Sequence, residues 1–422
     1  MKKQLLAGVC AATLLLVGCS PRATNTNDSE RTLRITWWGN TARAEATQAA
    51  IELFQKKNPK IKIEAVPSSF DGYYNKLNTQ FASSSAPDIF QDDQVATFAD
   101  NGLLLDLNEY KNIIDTSSID PKILNQATID GKLLEVPAGT SPMSFVFKKG
   151  VLDAAGVAAP DSKDSWDDLA KKAAALKPSL PAGTWALADS SNQPNHFEVF
   201  LRQRGKGWFS PDGKSLGFDA QDAADWWSYW SKLRSDGLVP PADITTGGAG
   251  GDVSQNPVAK NLVSMGIYGT SITLPSEEWS YGPIPNEAGN PGVYKLRSAS
   301  WAVNSKTKYP EDAAKLVNFL VNDPEASALL KLTRGVPASD TALKSVRDSL
   351  APKDKQIVAY ADYLNQDGNS GTGPNPDPAG TRGLRSDIFT RYSGEVIFGK
   401  QTPQSAAEAM IKAAQDLIES LK

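Results

Sequence analysis

The sequence predicts an α/β protein with more than one domain, and three observations support this prediction. Strand and helix patterns alternate from residue 32 onward, which favours a parallel sheet with helices on both faces. The chain has 422 residues, more than the roughly 250–300 at which single hydrophobic cores stop growing. Its hydrophobic content of 40% is enough for large cores, so we expect more than one.

The first predicted elements form a β-α-β-α-β series. Its strands are Leu33–Trp37, Lys60–Val66 and Pro87–Gln91. The first helix is predicted over Thr41–Lys57 and ends before Pro59, because the residue preceding a proline disfavours helical backbone. Asp71 is the expected N-cap of the second helix, and the residues after it have the apolar stripe of an amphipathic helix.

Similar patterns continue through the rest of the chain. Further strands are predicted at Leu133–Pro137, Met143–Phe147, Trp185–Ala188 and Leu262–Tyr268. Further helices are predicted at Pro194–Arg204, Ala220–Ser235 and Pro310–Val321, and after the caps Ser165, Asp323 and Thr402. The segment 368–380 is too rich in Gly and Pro for regular structure. A loop of that length is usually a functional surface or disordered.

The first 18 residues are predicted to be a lipoprotein signal peptide. Two lysines precede the apolar run Leu5–Val17, which is shorter than the about 20 residues that a membrane-spanning helix needs. The run ends in Leu-Val-Gly-Cys19, which matches a bacterial lipobox; the alternative is an ordinary secretory signal in which Cys19 is incidental. We expect Cys19 to carry lipid and residues 19–31 to form a flexible tether. The protein would then be anchored to the cell membrane, facing the extracellular or periplasmic side.

Composition and motif searches argue against several functions. The net charge is -4 without a basic block, so nucleic acid is not an expected partner. A single histidine, His196, and no free cysteine in the mature chain disfavour a His/Cys metal site, and no cofactor is expected. A serine triad would need His196, and no G-x-S-x-G motif is present. The Gly-rich segment 207–215 has the wrong glycine spacing for a phosphate loop.

The doublet Asp92-Asp93 could suggest the carboxylate pair of a glycosidase. Neighbouring strand residues point to opposite faces, whereas glycosidases space their carboxyl groups across the substrate. Aspartates elsewhere could still pair, so this reasoning disfavours a glycosidase without excluding one. No catalytic residue is predicted.

The aromatic content favours binding of carbohydrate. The chain has ten Trp and eleven Tyr residues, and apolar sugar faces stack on aromatic rings. Sugar hydroxyls also need fixed Asp, Asn, Gln and Arg side chains. In α/β proteins such mixtures lie in a cleft outside the carboxyl ends of the strands.

Eight segments of the sequence, taken together in their order and spacing, resemble those of one protein family. They are Ile35–Gly39, Ala50–Pro59, Tyr74–Leu77, Ala86–Asp93, Asn101–Leu107, Asp130–Pro137, Pro310–Leu316 and Arg334–Ala338. Behind a lipobox, they resemble the extracellular carbohydrate-binding proteins of bacterial ABC importers over nearly the whole mature chain. The resemblance implies a two-lobed periplasmic-binding-protein fold of type II that closes about a hinge. It also implies a carbohydrate ligand, ABC transporter permease subunits as partners, and a monomer.

The resemblance further implies how the chain is divided between lobes. In such proteins the chain crosses between lobes more than once. We therefore expect lobe 1 to comprise residues 32–139 plus 300–349, and lobe 2 to comprise 140–299 plus 350–422.

Several candidate ligand contacts also follow from the resemblance. Asp93 matches a carboxylate that binds sugar hydroxyls, which we favour over the alternative role of a helix cap. Gln193, Asn195 and His196 match a segment that contacts sugar from lobe 2, and any one of them could instead be a helix cap. Tyr268 lies in a loop that carries an aromatic platform in relatives, with Ser271 at the platform position itself.

Four more candidates come from crossing segments and helix starts. Trp301 matches a segment that borders the cleft, but a core position suits it equally. Arg382 and Arg385 follow the Gly/Pro loop, where relatives place late ligand contacts; solvated surface charges are the alternative. Arg43 lies in a Trp-Trp-Gly-x-x-x-Arg start similar to that of relatives that bind oligogalacturonides, and suits an acidic ligand.

The doublet Trp37-Trp38 predicts two different roles, because neighbouring strand side chains point to opposite faces. Trp37 is assigned to the core. Trp38 is the candidate stacking surface at the carboxyl end of the strand, with Asn40 as its polar neighbour.

The predicted function is capture of a sugar, preferentially an oligosaccharide, and its delivery to an ABC permease. No covalent bond is made or broken in this function. One alternative is a secreted carbohydrate-active enzyme. Another is a binding protein for a different solute, such as a peptide or polyamine.

Overall fold

The computed structural model describes residues 30–421 apart from 248–254, 272–273, 275, 277 and 287–288. The predicted signal peptide, Cys19 and nearly all of the predicted tether lie outside the described residues. In the described part of the chain, no helix combines the length and apolarity needed to cross a membrane.

The strands have the following bounds. They are β1 (Arg31–Trp38), β2 (Ile61–Ser68), β3 (Ile89–Asp92), β4 (Thr128–Ile129), β5 (Lys132–Leu133), β6 (Glu135–Thr140), β7 (Met143–Lys148), β8 (Trp185–Leu187), β9 (Val263–Gly269), β10 (Trp279–Gly282), β11 (Arg297–Val303) and β12 (Val336–Pro337).

The α-helices are distributed along the whole described chain. They are α1 (Thr41–Lys57), α2 (Tyr73–Ala82), α3 (Val95–Asp100), α4 (Pro121–Leu124), α5 (Lys149–Ala154), α6 (Trp166–Leu176), α7 (Pro194–Gln203), α8 (Ala220–Ser235), α9 (Ala242–Gly247), α10 (Pro310–Asn322), α11 (Pro324–Leu330), α12 (Asp340–Val346), α13 (Pro352–Leu364), α14 (Thr390–Ile397) and α15 (Pro403–Ser420).

The first sheet has the strand order β2-β1-β3-β11-β6-β12. Strands β1, β2 and β3 are parallel, as their β-α-β-α-β order predicts. Strand β11 is antiparallel to both β3 and β6, so the sheet is mixed rather than wholly parallel. The reason is that β11 enters this sheet from the second lobe rather than through a local crossover helix. Trp37 is fully buried in the core of this sheet, which confirms its predicted role.

The second sheet has the strand order β10-β7-β9-β8. Its core is separate from the first and lies under α6, α7, α8 and α15. Trp226, Trp227 and Trp230 of α8 are fully buried there, and the rings of Trp226 and Trp230 pack edge-on against each other. Two sheets with separate cores confirm the α/β fold with two lobes.

The chain passes from the first sheet to the second between β6 and β7, and returns between β10 and β11. A smaller apolar cluster lies beside these crossings. It joins Leu343 and Val346 of α12 to Val358 of α13. The Tyr360 hydroxyl of α13 also donates to the Met143 carbonyl at 2.8 Å, which ties this helix to the start of β7.

Local signals predicted most element bounds well. Helix α1 has the predicted bounds, and Ser165 forms the predicted capping box with Asp168 at the start of α6. Asp71 does not cap α2, contrary to expectation. The N-cap is Gly72, whose φ of 75° turns the chain into the helix without a side-chain bond.

Candidate functional site

A cavity of about 810 Å³ lies between the two lobes. That volume is typical of ligand pockets, which range over about 300–1,000 Å³. Eight of the predicted site residues line it. They are Asp93, Gln193, Asn195, His196, Tyr268, Ser271, Arg382 and Arg385.

Asp93 follows β3 on the lobe 1 side and is exposed to the cavity. The Tyr74 hydroxyl lies 2.5 Å from Asp93 Oδ1 and fixes the carboxylate. Surrounding protein and the nearby Asp92 raise the pKa of Asp93. Helix α3 has no side-chain cap, so Asp93 does not serve as one. The arrangement leaves a fixed carboxylate acceptor facing the cavity.

Arg297 is a cavity residue that sequence reasoning missed. Its guanidinium forms an ion pair with Glu135 and donates to Ser300 Oγ at 2.9 Å. It also donates to the Asp93 carbonyl at 3.3 Å. Its side chain is only 8% exposed, and that of Glu135 is fully buried. The sequence signal was weak: a charged residue at the start of a strand gives no indication of a partner 162 residues away.

Helix α7 supplies the facing lobe 2 surface. Gln193 and Asn195 lie at its start, and neither Gln193 nor any other side chain caps the helix. His196 lines the cavity with 5% of its surface exposed. Burial lowers the pKa of His196 to about 3, so the imidazole is neutral at physiological pH. Its Nδ1 has no hydrogen-bond partner within the described residues.

Tyr268 near the end of β9 and Ser271 just after it line the same side of the cavity. The Tyr268 ring lies edge-on to His196 with centroids 6.3 Å apart. Its hydroxyl donates to Asn256 Oδ1 at 2.7 Å, and burial raises its pKa, so it stays protonated. Ser141 Oγ accepts from the Ser271 backbone N–H at 3.0 Å. This bond ties the loop to the β6–β7 crossing.

The Gly/Pro segment 368–380 forms part of the cavity wall through residues 374–378. Arg385 holds that wall in place by donating to both Asp377 carboxylate oxygens, at 2.6 and 2.8 Å. It also donates to Glu198 Oε2 at 2.9 Å. Burial alone would lower the pKa of Arg385, but the two carboxylates raise it overall. Arg385 is therefore neutralised by its partners and acts mainly as a support.

Arg382 differs from Arg385 in making no ion pair within the described residues, although its charge lowers the pKa of the nearby Asp93 carboxyl. Its side chain makes no hydrogen bond or ion pair in the described parts of the chain, and it is exposed to the cavity. The guanidinium lies 5.4 Å from the centroid of the Tyr74 ring. It is therefore a charged donor available to a ligand, on the opposite lobe from Asp93.

Neither Trp38 nor Trp301 is a residue of the cavity wall, although both were candidate ligand contacts.

 Trp38 is 8% exposed, and its ring lies edge-on to Phe70 and Tyr73 with centroids 5.7 and 5.1 Å away. Trp301 is 1% exposed and has the Arg334 guanidinium 4.7 Å from its ring centroid. Both rings are covered by protein, which leaves neither with a face for a ligand.

Asn40 and Arg43 also lie outside the cavity lining in the described residues. Asn40 is the N-cap of α1 and accepts from the Arg43 backbone N–H at 3.0 Å. The Arg43 guanidinium donates to the Thr333 and Trp38 carbonyls at 2.8 and 3.1 Å. Both side chains make contacts within local structure, and neither lines the cavity.

The described ranges contain no group of three or more His, Cys, Asp or Glu side chains placed to hold a metal ion. The cavity instead combines carboxylates, guanidinium groups, amides and a neutral imidazole with tyrosine rings. Such a surface can donate to and accept from a polar ligand and can also cover its apolar faces.

Comparisons with known proteins agree with this architecture. An uncharacterized ABC transporter extracellular-binding protein from Pyrococcus horikoshii is 28% identical over 351 residues, covering 76% of this chain and 77% of that protein. An uncharacterized lipoprotein from Streptomyces antibioticus is 24% identical over 358 residues, covering 82% of this chain and 78% of that protein.

Solved structures share the fold. A family 1 extracellular solute-binding protein from Alicyclobacillus acidocaldarius has a TM-score of 0.73 and 27% identity, covering 92% of this chain and 99% of that one. A periplasmic oligogalacturonide-binding protein from Yersinia enterocolitica has a TM-score of 0.78 and 23% identity, covering 93% and 99%. The model of the bacterial extracellular solute-binding protein family matches residues 38–326. Because this match spans more than half of the sequence, the chain belongs to the bacterial extracellular solute-binding protein family.

Proposed function

We propose that the protein captures an oligosaccharide in the interlobe cavity and delivers it to the permease of an ABC transporter. The observation that carries this proposal is the cavity itself, which presents polar groups from both lobes to one space. The relative from Pyrococcus horikoshii, named as an ABC transporter extracellular-binding protein, supports the transport role.

The wall chemistry suits sugar hydroxyls. Asp93 accepts hydrogen bonds, Arg382 donates them, and the amide of Asn195 can do both. The Tyr268 and Tyr294 rings add apolar surface for the faces of the sugar rings. This pairing of acceptors, donors and rings favours an oligosaccharide over a wholly apolar or wholly cationic solute. No residue is assigned a catalytic role.

Closure of the lobes is the proposed mechanism of capture. The ligand stabilises the closed form because it then contacts both lobes at once. We assign residues 32–139 plus 300–349 to lobe 1 and residues 140–299 plus 350–422 to lobe 2. The crossings between β6 and β7 and between β10 and β11 would form the hinge.

We further propose that Cys19 is lipidated and that residues 19–31 tether a monomer to the outer face of the cell membrane. The lipobox supports this, together with the relative from Streptomyces antibioticus that is named a lipoprotein. Mass spectrometry of the membrane fraction tests it: a Cys19→Ala variant should lose the lipid mass and leave the membrane fraction.

A thermal-shift screen over neutral and acidic oligosaccharides tests the ligand class. A bound sugar stabilises the folded protein by mass action and so raises the melting temperature. The free energy of unfolding increases by about 2.7 kcal/mol when the free sugar concentration is a hundred times Kd. A shift with a peptide or polyamine and with no sugar would contradict the proposal. Release of sugar products at catalytic rates would instead indicate an enzyme.

A further inference from the structure

We propose that Asp92 and Glu135 share one proton and that this buried acid–carboxylate pair positions Arg297 at the cavity wall. The inference rests on the proposed function only in its consequence for the ligand. The sharing of the proton is a property of the ligand-free protein. It can therefore be tested even if no sugar binds.

The donors around Asp92 occupy only one of its two oxygens. Asp92 Oδ1 accepts from the Gln94 backbone N–H at 3.0 Å and lies 3.0 Å from the Tyr74 hydroxyl, whose single proton it shares with Asp93 Oδ1. Asp92 Oδ2 is buried and has no hydrogen-bond partner within the described residues. A fully buried carboxylate oxygen without a donor is costly, so this oxygen is the natural place for a proton.

Glu135 has the complementary arrangement. One oxygen, Oε2, forms an ion pair with Arg297, whereas Oε1 is buried without a partner in the described part of the chain. Asp92 on β3 and Glu135 on β6 flank the same strand, β11, opposite Ser300 and Ala302. Ser300 and Ala302 are two residues apart, so the side chains of Asp92 and Glu135 lie on the same face of the sheet, and Arg297 bridges Glu135 to Ser300, the residue paired with Asp92. Two ionised carboxylates there would repel, whereas one shared proton satisfies both orphaned oxygens.

Electrostatics support the same assignment. Burial, and then the charge of Glu135, raise the pKa of Asp92 well above its ordinary value, while Arg297 acts in the opposite direction. The charged and titratable groups that face the pair are Arg297, Tyr73, Tyr74 and Asp93, with Arg334 beyond Tyr73. With one proton on Asp92, the charges of Glu135 and Arg297 cancel, and the buried unit is neutral.

The consequence for the cavity is the orientation of Arg297. Glu135 and Ser300 hold the guanidinium from behind, while its other side reaches the Asp93 carbonyl at the cavity. Asp92 makes no hydrogen bond or ion pair with Arg297; it acts by holding Glu135. Asp92 and Glu135 are therefore positioning residues.

Asp92→Asn is the most direct test, because its amide places an N–H donor where the proposed proton lies. The infrared band of a protonated carboxylic acid, present in the parent at pH 7, should disappear in this variant. Since the folded protein favours protonated Asp92, the stability that this group contributes is present below its unfolded pKa and is lost as pH rises through the folded pKa. The melting temperature of Asp92→Asn should therefore fall less than that of the parent between pH 5 and pH 9.

Asp312→Asn is the matched control. Asp312 is also a buried lobe 1 carboxylate, but its partners are Arg31 and Lys315, at 2.5 and 3.0 Å. Removing this charge should lower the melting temperature at pH 7 without changing the acid band. If Asp92→Asn kept the band and lowered the melting temperature as Asp312→Asn does, the shared proton would be refuted.

Crystal structures of ligand-free variants test the positioning of Arg297. Its guanidinium should stay beside Ser300 in Asp92→Asn and leave it in Glu135→Gln. Affinities for maltotriose and digalacturonic acid give a second readout: Asp92→Ala should weaken whichever sugar binds by tenfold or more, and Asp92→Asn should restore it. An unmoved Arg297 in Glu135→Gln would overturn the positioning role. Failure of both sugars to bind the parent would count against the proposed ligand class alone.

Discussion

The two walls of the cavity present their polar groups in different ways. The wall formed by the ends of β3 and β11 carries charged groups, Asp93 and Arg297, each fixed by a partner behind it. The wall formed by the start of α7 carries the neutral groups Gln193, Asn195 and His196. Charge-assisted hydrogen bonds are roughly twice as strong as neutral ones. We infer that the β3–β11 wall dominates affinity, whereas the α7 wall adds its contacts on closure.

The largest expected effect lies behind the charged wall. Trp38→Ala should lower the free energy of unfolding by about 3–5 kcal/mol, because it leaves a void beside Phe70 and Tyr73. Chemical denaturation measures this loss. Phe70→Ala is the control, since Phe70 is 47% exposed and should matter less for stability. A stable Trp38→Ala protein with greatly reduced sugar affinity would restore Trp38 as a stacking surface.

On the charged wall itself, Asp93→Asn should weaken sugar binding by about 2 kcal/mol, roughly thirtyfold, because a charged acceptor is lost. Calorimetric titration measures this change. Because the pKa of Asp93 is raised, its ionisation does not stabilise the fold at neutral pH, and the variant should not melt earlier. Asp71→Asn, which removes an exposed lobe 1 carboxylate that caps no helix, should bind as the parent does.

Arg382 tests whether charge on the opposite lobe matters as well. Arg382→Gln should weaken binding by about 1 kcal/mol, or roughly fivefold, because one unpaired donor is lost. The loss should be larger for an acidic oligosaccharide and should shrink at high salt. Arg391→Gln removes an exposed arginine outside the cavity lining and should leave affinity unchanged. Equal affinities for the two variants would remove Arg382 from the site.

The smallest effect on binding at neutral pH is expected on the neutral wall. The pKa of His196 is lowered to about 3, so stability is lost as pH falls below the unfolded value of about 6.5. The slope is at most about 1.4 kcal/mol per pH unit. His196→Gln should flatten the melting temperature between pH 6.5 and pH 4. The pH dependence of binding between pH 6 and pH 8 should be the same in His196→Gln as in the parent, and a step that disappears with the histidine would show a charged imidazole.

Local signals made most of the fold predictable from the sequence. The capping box at Ser165 marks the start of α6, and Asn58 before Pro59 marks the end of α1. Each of these signals lies within a few residues of the helix end that it predicts. The opposite faces of Trp37 and Trp38 were also correctly expected from strand alternation. The residues that cover the Trp38 ring could not be predicted, because Phe70 and Tyr73 contact it from another part of the chain.

The candidate site was predictable where the family resemblance placed residues after strands, as for Asp93 and His196. It was not predictable where a residue's role depends on a distant partner. Arg297 is held in position by its ion pair with Glu135. Arg385 forms ion pairs with Glu198 and Asp377, which neutralise its charge. No pattern within a single element carries that information.

A crystal structure of the mature protein with its best-binding oligosaccharide tests the central claim most directly. The account predicts one sugar chain in the interlobe cavity, bonded to Asp93 on one wall and to Asn195 or His196 on the other, with the lobes closed on it. A sugar bound outside this cavity, or one that contacts a single wall, would contradict the account.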